Sequence, residues 1–461
     1  MNKVEQHRVA ARECLRERDA RSIGPSCAGS ILTILTTFTL LISPTAAHAQ
    51  PLTPEQAVAI ALEHNHGIRL AKLDARTSEL LNNAGNAGML PTLDANGFYS
   101  IDNSSTKQTF FSGETREADN ADSRVLDGVL ALNWTVFDGL AMFAAKDRLE
   151  ALEQIGRTEL RQQMESTVYD VLTSYHLAVQ LKSAVRVQQE GLRTSRERLR
   201  IVETGERIGS SSGLQVVQAR LDLSADSAAV LDLMQQRAIA FNRLNTLLGR
   251  AADTPVDVAD AIAPADELDL ATVQRDARAG NSALQQARQQ QLLADVSVKE
   301  LRGALFPRID LFGNYGYTRS TSAVGFLQSN QAFGPDYGVR VSVPLFRGLQ
   351  ANRAVEVAKI VREQAAIGTE QAQLQLEQQV LDGWAAYTTA RQRVTLEEAN
   401  LGGIRKQVDV ALESYRMGML TAVELRDVQQ GLIDAENRLL MAQFEAKAAE
   451  LRLKWLAGRL V

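Results

Sequence analysis

Cysteine is nearly absent from this chain. The two that occur, Cys14 and Cys27, both fall within the first 49 residues. The remainder can therefore hold neither a disulfide framework nor a thiolate metal site. Aromatic residues make up only 5% of the 461 positions, which suits long packed helices better than a globular enzyme core. An excess of positive charge is also missing. The formal charge is −5, and setting aside residues 1–49 leaves 44 basic against 51 acidic side chains. Such a chain has no basic footprint for nucleic acid. No apolar run reaches the roughly 20 residues that a membrane-crossing helix needs. No nucleophile–base pair, phosphate loop or metal cluster stands out, so neither an enzyme nor a cofactor is expected. His64 and His66 come nearest to a metal motif. Two residues apart on a helix they face different ways, and the matched positions later in the chain hold Gly280 and Ser282.

What is present begins with a distinct leader. Arg8, Arg12, Arg16, Arg18 and Arg21 precede an apolar run from Ile31 to Ile42, then Pro44 and the small-residue site Ala47-His48-Ala49. Residues 1–49 read as an export signal cleaved before Gln50. Neither cysteine sits just after the apolar run, where a lipid would be attached.

Beyond the leader the chain repeats itself. A spacing of 209 residues separates Phe137 from Phe346, Gly209 from Gly418 and Gly249 from Gly458. Each copy opens on a Phe-X-Gly-Leu step (Phe137 to Leu140, Phe346 to Leu349) and runs as one helical pattern to an Arg-X-Gly turn at Gly209 or Gly418. A helix of about 68 residues at about 1.5 Å per residue is on the order of 100 Å long. Repetition of such rods sets the fold. The spacing divides the chain into a first repeat, 50–267, and a second, 268–461.

Each repeat also contains helix-to-strand switches. The first opens on Thr53-Pro54-Glu55-Gln56, a hydroxyl cap followed by Pro and acid. Asn65 matches Asn281, and Pro91 matches Pro307, which ends the helical pattern. Strands are expected at about 92–101, 128–137, 308–317 and 338–346, with polar hairpin loops at 103–127 and 318–336. Long helices are expected at about 140–249 and 349–459. In the strands Leu130, Leu132, Trp134 and Val136 alternate with Ala131, Asn133 and Thr135, and Val339, Val341, Val343 and Leu345 with Arg340 and Ser342. One face apolar and the other polar over about nine residues fits a transmembrane barrel, lipid outside and water inside. Four strands cannot close a barrel and an open edge is not tolerated in lipid, so more than one chain is required. The rods carry core stripes: Val168, Val171, Leu172, Tyr175 and Val179 in one, and Val380, Leu381, Trp384 and Tyr387 in the other.

An export signal, duplicated strand pairs and rods, and matched turns at Gly209 and Gly418 together resemble the TolC family of outer-membrane efflux and secretion channels. The resemblance covers essentially all of residues 51–461. It implies a mainly α fold with a membrane β-barrel: a homotrimer whose twelve-stranded barrel in the outer-membrane lipid continues into an α-helical periplasmic tunnel. The turns at Gly209 and Gly418 would then dock a periplasmic adaptor and an inner-membrane pump, proton-driven or of the ABC type. Glu424 and Asp427 match the family's entrance carboxylates and, three apart, share a helix face. Their first-repeat counterparts are Gln215 and Gln218. Tyr415 matches a tyrosine of the family's closed-state lock, whereas Gln215 and Leu420 stand where that lock has an acid and an arginine. The expected function is the outer-membrane exit duct of a tripartite export system, small-molecule efflux ahead of type I protein secretion. A structural periplasmic coiled-coil protein is the rival from another class.

Overall fold

The computed structural model describes residues 51–324, 327–417 and 419–460. The leader, 1–49, and Gly418 lie outside the described residues. The first run comprises α1 (Pro54–His64), α2 (His66–Leu81), β1 (Thr92–Thr109), β2 (Thr115–Phe137), α3 (Ala141–Arg207) and α4 (Gly213–Leu247). The same order returns as α5 (Leu270–Gly280), α6 (Ser282–Gly303), β3 (Arg308–Ser322), β4 (Ser329–Ser342), α7 (Gln350–Arg416) and α8 (Ala422–Leu456). Among the described residues no helix is long and apolar enough to cross a membrane.

Matched residues do matched work. Asn65 breaks α1 from α2: its Oδ1 accepts from the Gly67 and Ile68 N–H groups, and its Nδ2 donates to Leu247 O at 2.8 Å. Asn281 caps Leu284 and donates to Leu456 O at 3.1 Å in the second run. The Phe-X-Gly-Leu step turns strand into rod with two successive left-handed residues, Gly139 and Leu140 (φ 72° and 68°), and again Gly348 and Leu349 (φ 59° and 62°). Tyr175 donates to Leu52 O at 2.7 Å and Tyr387 to Asp266 O at 2.6 Å, each pinning the connecting backbone to a rod.

The four strands form one antiparallel sheet in the order β1-β2-β3-β4. Its register aligns the alternation across all of them. Leu93, Leu132, Gly313 and Tyr337 lie in one row, then Ala95, Leu130, Tyr315 and Pro335, then Gly97, Gly128, Tyr317 and Phe333, all on one face. The opposite face carries Asp94, Ala131, Asn314 and Asp336. From Ile309 to Tyr317 the apolar face runs roughly 26 Å along the strand at about 3.3 Å per residue. That is close to the roughly 25 Å apolar belt of membrane barrels. The belt ends where Arg124 and Arg319 enter the same face.

The hairpins differ from the expected loops. Both strands of the first continue past the apolar belt to a tight turn closed by Phe110 N–H on Glu114 O at 2.9 Å, so most of 103–127 is paired strand. The second hairpin likewise stays paired from Arg308 to Thr321. Ladder bonds come from the backbone, so polar side chains on both faces do not oppose them. At the other end β4 stops at Ser342, not 346: Pro344 has no N–H for a ladder.

The rods stand side by side as a wall. α3 packs against α4, α6 and α8, and α8 against α7. Val168, Val171, Tyr175 and Val179 are fully buried, as are Val380 and Tyr387. Leu381 departs from the expected stripe and is 50% exposed, together with Val357, Ile360, Ile367 and Leu374 on α7. The chain thus leaves an apolar stripe of α7 uncovered.

The two Phe-X-Gly-Leu glycines make a controlled comparison. A Cβ on Gly139 would lie 2.5 Å from Gly303 O, whereas one on Gly348 would meet nothing within 4 Å. Gly348→Ala should cost only the left-handed strain, about 1–2 kcal/mol. Gly139→Ala should cost clearly more, read as a lower unfolding midpoint in detergent. Equal losses would place the first rod's start elsewhere than against Gly303.

Candidate functional site

The two rod pairs turn at Ile208–Ser212 and Met417–Thr421, and these tips carry the residues singled out from the sequence. Gly209 adopts φ 79°, the left-handed conformation that ends helices, and Ser210 N–H reaches back to Gly205 O at 2.8 Å. In the second tip Met419 N–H makes the matching bond to Ser414 O at 2.9 Å. The tips are apolar and bare: Ile208, Leu214, Met417, Met419 and Val423 are all more than half exposed. A surface of this kind is a place for contact with another protein.

Each helix that leaves a tip starts with a capping box. Ser212 N–H donates to Gln215 Oε1 at 2.8 Å, and Thr421 N–H donates to Glu424 Oε2 at 2.8 Å. The 209-residue match of Gln215 with Glu424 therefore has a structural cause, because both occupy the position whose side chain closes the box. The two differ in charge alone. Hydrogen bonds from the Thr421 backbone and then its hydroxyl hold the Glu424 carboxyl below its ordinary range. Asp427 stands exposed one turn on. Glu424 and Asp427 thus share one turn of α8, and the equivalent turn of α4 presents neutral Gln215 and Gln218. Gln218 donates to Asp222 at 3.2 Å. Tyr415 and Leu420 are half-buried at the second tip.

One cluster beside the tips was not singled out from the sequence. Arg426, between Glu424 and Asp427 in the chain, turns away from solvent and crosses to the first repeat. Its Nη1 and Nη2 donate to the two carboxylate oxygens of Asp226 on α4 at 2.9 and 3.1 Å, and Nη1 donates to Ser195 Oγ on α3 at 3.1 Å. Ser195 donates to Asp226 as well, and Arg198 to the neighbouring Asp222. Asp226 is 5% exposed. A signal for this cluster does exist in the repeat. At a spacing of 209, Asp226 stands against the buried Ala435 and Arg426 against Val217, so opposite charges replace apolar residues once in each half.

The family model described as outer membrane efflux protein matches residues 57–250 and 273–459. The solvent efflux pump outer membrane protein SrpC of Pseudomonas putida is 24% identical over 412 residues, covering 86% of this chain and 83% of that protein. The alkaline protease secretion protein AprF of Pseudomonas aeruginosa is 24% identical over 413 residues, covering 87% and 83%. Among solved structures, the CmeC outer membrane channel of Campylobacter jejuni superposes with a TM-score of 0.76 at 14% identity, over 88% of this chain and 85% of that one. With the family model spanning both halves of the repeat, the chain belongs to the outer membrane efflux protein family, and it is an outer-membrane transport channel.

Proposed function

We propose that three copies of the chain form the exit duct of a tripartite export machine. The observation that carries this reading is the sheet: four strands with one continuous apolar face and two unpaired edges, β1 and β4. Membrane strands have no water to satisfy their backbone, so the edges must pair with those of other copies. Two copies would give eight strands and an interior filled by side chains; three give twelve and room for a passage. The bare apolar stripe on α7 supports the same assembly, as a surface for the next copy's helices. The rods then extend the passage into the periplasm, and the apolar tips around Gly209 and Gly418 meet an adaptor that joins the duct to an inner-membrane pump. Energy comes from that pump.

Cargo is read as small molecules. Several relatives are named for solvent, toluene or antibiotic efflux, and AprF for secretion of a protease, so protein export by an ABC-type machine is the second reading. Photo-crosslinkers placed beside Gly209 and Gly418 in the living cell separate the two. Capture of an adaptor of a proton-driven pump supports small-molecule efflux, and capture of an adaptor of an ATP-driven exporter supports secretion. If a correctly inserted channel captures neither, the tips do not dock.

At the entrance Glu424 and Asp427 from three copies would make two stacked acidic rings that favour cations. Glu424→Gln with Asp427→Gln is expected to lower cation preference in planar bilayers while leaving the helix start intact, since Gln closes the same box in the first repeat. Glu424→Ala should also lower thermal stability. An unchanged ion preference in the glutamine variant would remove both acids from the pore.

A further inference from the structure

Arg124 on β2 and Arg319 on β3 stand at the far border of the sheet's apolar face, and both are exposed. They are diagonal neighbours, because Leu126 pairs with Arg319 and Arg124 with Thr321. Diagonal positions on one face lie about 7–8 Å apart, so two long guanidinium side chains can reach a single group. Arg319 has Leu126 on one side and Gln331 on the other, and its guanidinium makes no ion pair or hydrogen bond with any described residue. Arg124 donates through Nε to Asp122 Oδ2 at 2.9 Å, so of the two cations only one is balanced. Neither arginine is a repeated feature. At the repeat spacings the matched positions hold Phe333 on β4 and Asn103 on β1. One row toward the rods the same face has a dip. Gly97 and Gly128 pair side by side, and a Cβ on either would meet nothing within 4 Å. Tyr99, Leu126 and Tyr317 stand around it.

From this placement we infer that the β2–β3 seam binds a phosphorylated glycolipid of the outer leaflet. Arg319 and Arg124 hold its phosphate, and an acyl chain lies over Gly128 and Gly97. The inference rests on the proposed barrel, which turns this face to lipid. With the rods in the periplasm, the border that carries the arginines is the outer one. The outer leaflet of an outer membrane is built from lipid A, whose sugar headgroup carries phosphates and acyl chains together. Position excludes a second copy of the chain as the occupant: β2 and β3 are the inner strands, and neighbouring copies would pair at β1 and β4. Arginine suits the task, since its planar fork gives two parallel bonds to phosphate oxygens. Any cation at this depth is drawn to anionic headgroups. Two further features make this a site: both cations reach one phosphate, and the dip begins one row below, where the acyl chain must leave the headgroup. Asp122 moderates the affinity, because it competes with the phosphate for Arg124.

Native mass spectrometry of the purified full-length channel in detergent reads the binding directly. The probe is bisphosphorylated, hexa-acylated lipid A, and its dephosphorylated form is the control. The phosphorylated lipid should be retained at one per chain, and the control about tenfold more weakly. Arg319→Gln should weaken retention by about tenfold. Asp122→Asn should strengthen it severalfold by releasing Arg124. Gly128→Leu should weaken it severalfold; this variant adds apolar surface, so a loss marks a shaped site and not a general attraction for lipid. Equal retention of the two lipids would overturn the role of the phosphate, and wild-type retention in Arg319→Gln would overturn the site. Displacement of the lipid by an equal concentration of inorganic phosphate would mark a bare anion site and overturn the lipid assignment. Should Arg319→Gln fail to insert, Asp122→Asn carries the test, and unchanged retention there would contradict the inference. Conductance of the same preparation in planar bilayers separates this from the barrel itself. A channel that conducts without preferring the phosphorylated lipid leaves the barrel standing and sinks only the lipid site, whereas one that does not conduct removes both.

Discussion

A peptide group in hydrocarbon must find its hydrogen-bond partner within the protein, and this requirement organises everything else in the chain. The β1-β2-β3-β4 sheet meets it internally on three seams and leaves it unmet on the outer edges of β1 and β4. A sheet so built is unfinished alone. Because each half of the chain supplies one hairpin followed by one pair of rods, whatever closes the sheet also sets the rods side by side. The exposed apolar stripe on α7 is the helical counterpart of the open edges. In the proposed assembly, barrel and tunnel are therefore one problem of closure, posed once by strands and once by helices.

Duplication gives the wall its regularity, and its departures from symmetry mark where the halves take different work. The paired Asn65 and Asn281, and the paired Tyr175 and Tyr387, repeat a structural task in each half. Gly139 and Gly348 share a backbone conformation, but only the first is pressed against a neighbour. Gln215 and Glu424 close the same box with different charge, which turns a structural position in one half into a charged one in the other. Asp226 and Arg426 interrupt apolar positions of the repeat and find each other across it.

Much of this was legible from residues alone. A spacing held without a gap over the rods, the Phe-X-Gly-Leu step, the matched prolines and the period-two alternation locate the elements, because each reflects a local rule of backbone or burial. The strand ends were less legible. The alternation reports an apolar face, so it falls silent at Arg124 and Arg319 although the ladder continues to Thr109 and Thr115. Leu381 was placed in the core because periodicity reveals that a face is apolar, not what covers it. The Arg426–Asp226 pair was hidden for a related reason. A charge beside two acids on a helix reads as solvated, and only the fold shows that Arg426 faces a buried carboxylate on a rod 200 positions away. That the two positions break the repeat was visible, and such breaks are where a duplicated chain should be searched for function.

Closure of the sheet through β1 and β4 of different copies is the step on which the proposed duct most directly depends. Single cysteines along the outer edge of β1, paired with single cysteines along the outer edge of β4, can be oxidised in the native membrane and the products sized. Covalent products should stop at three copies and require both edges. Products confined to one chain, or stopping at two copies, would contradict it.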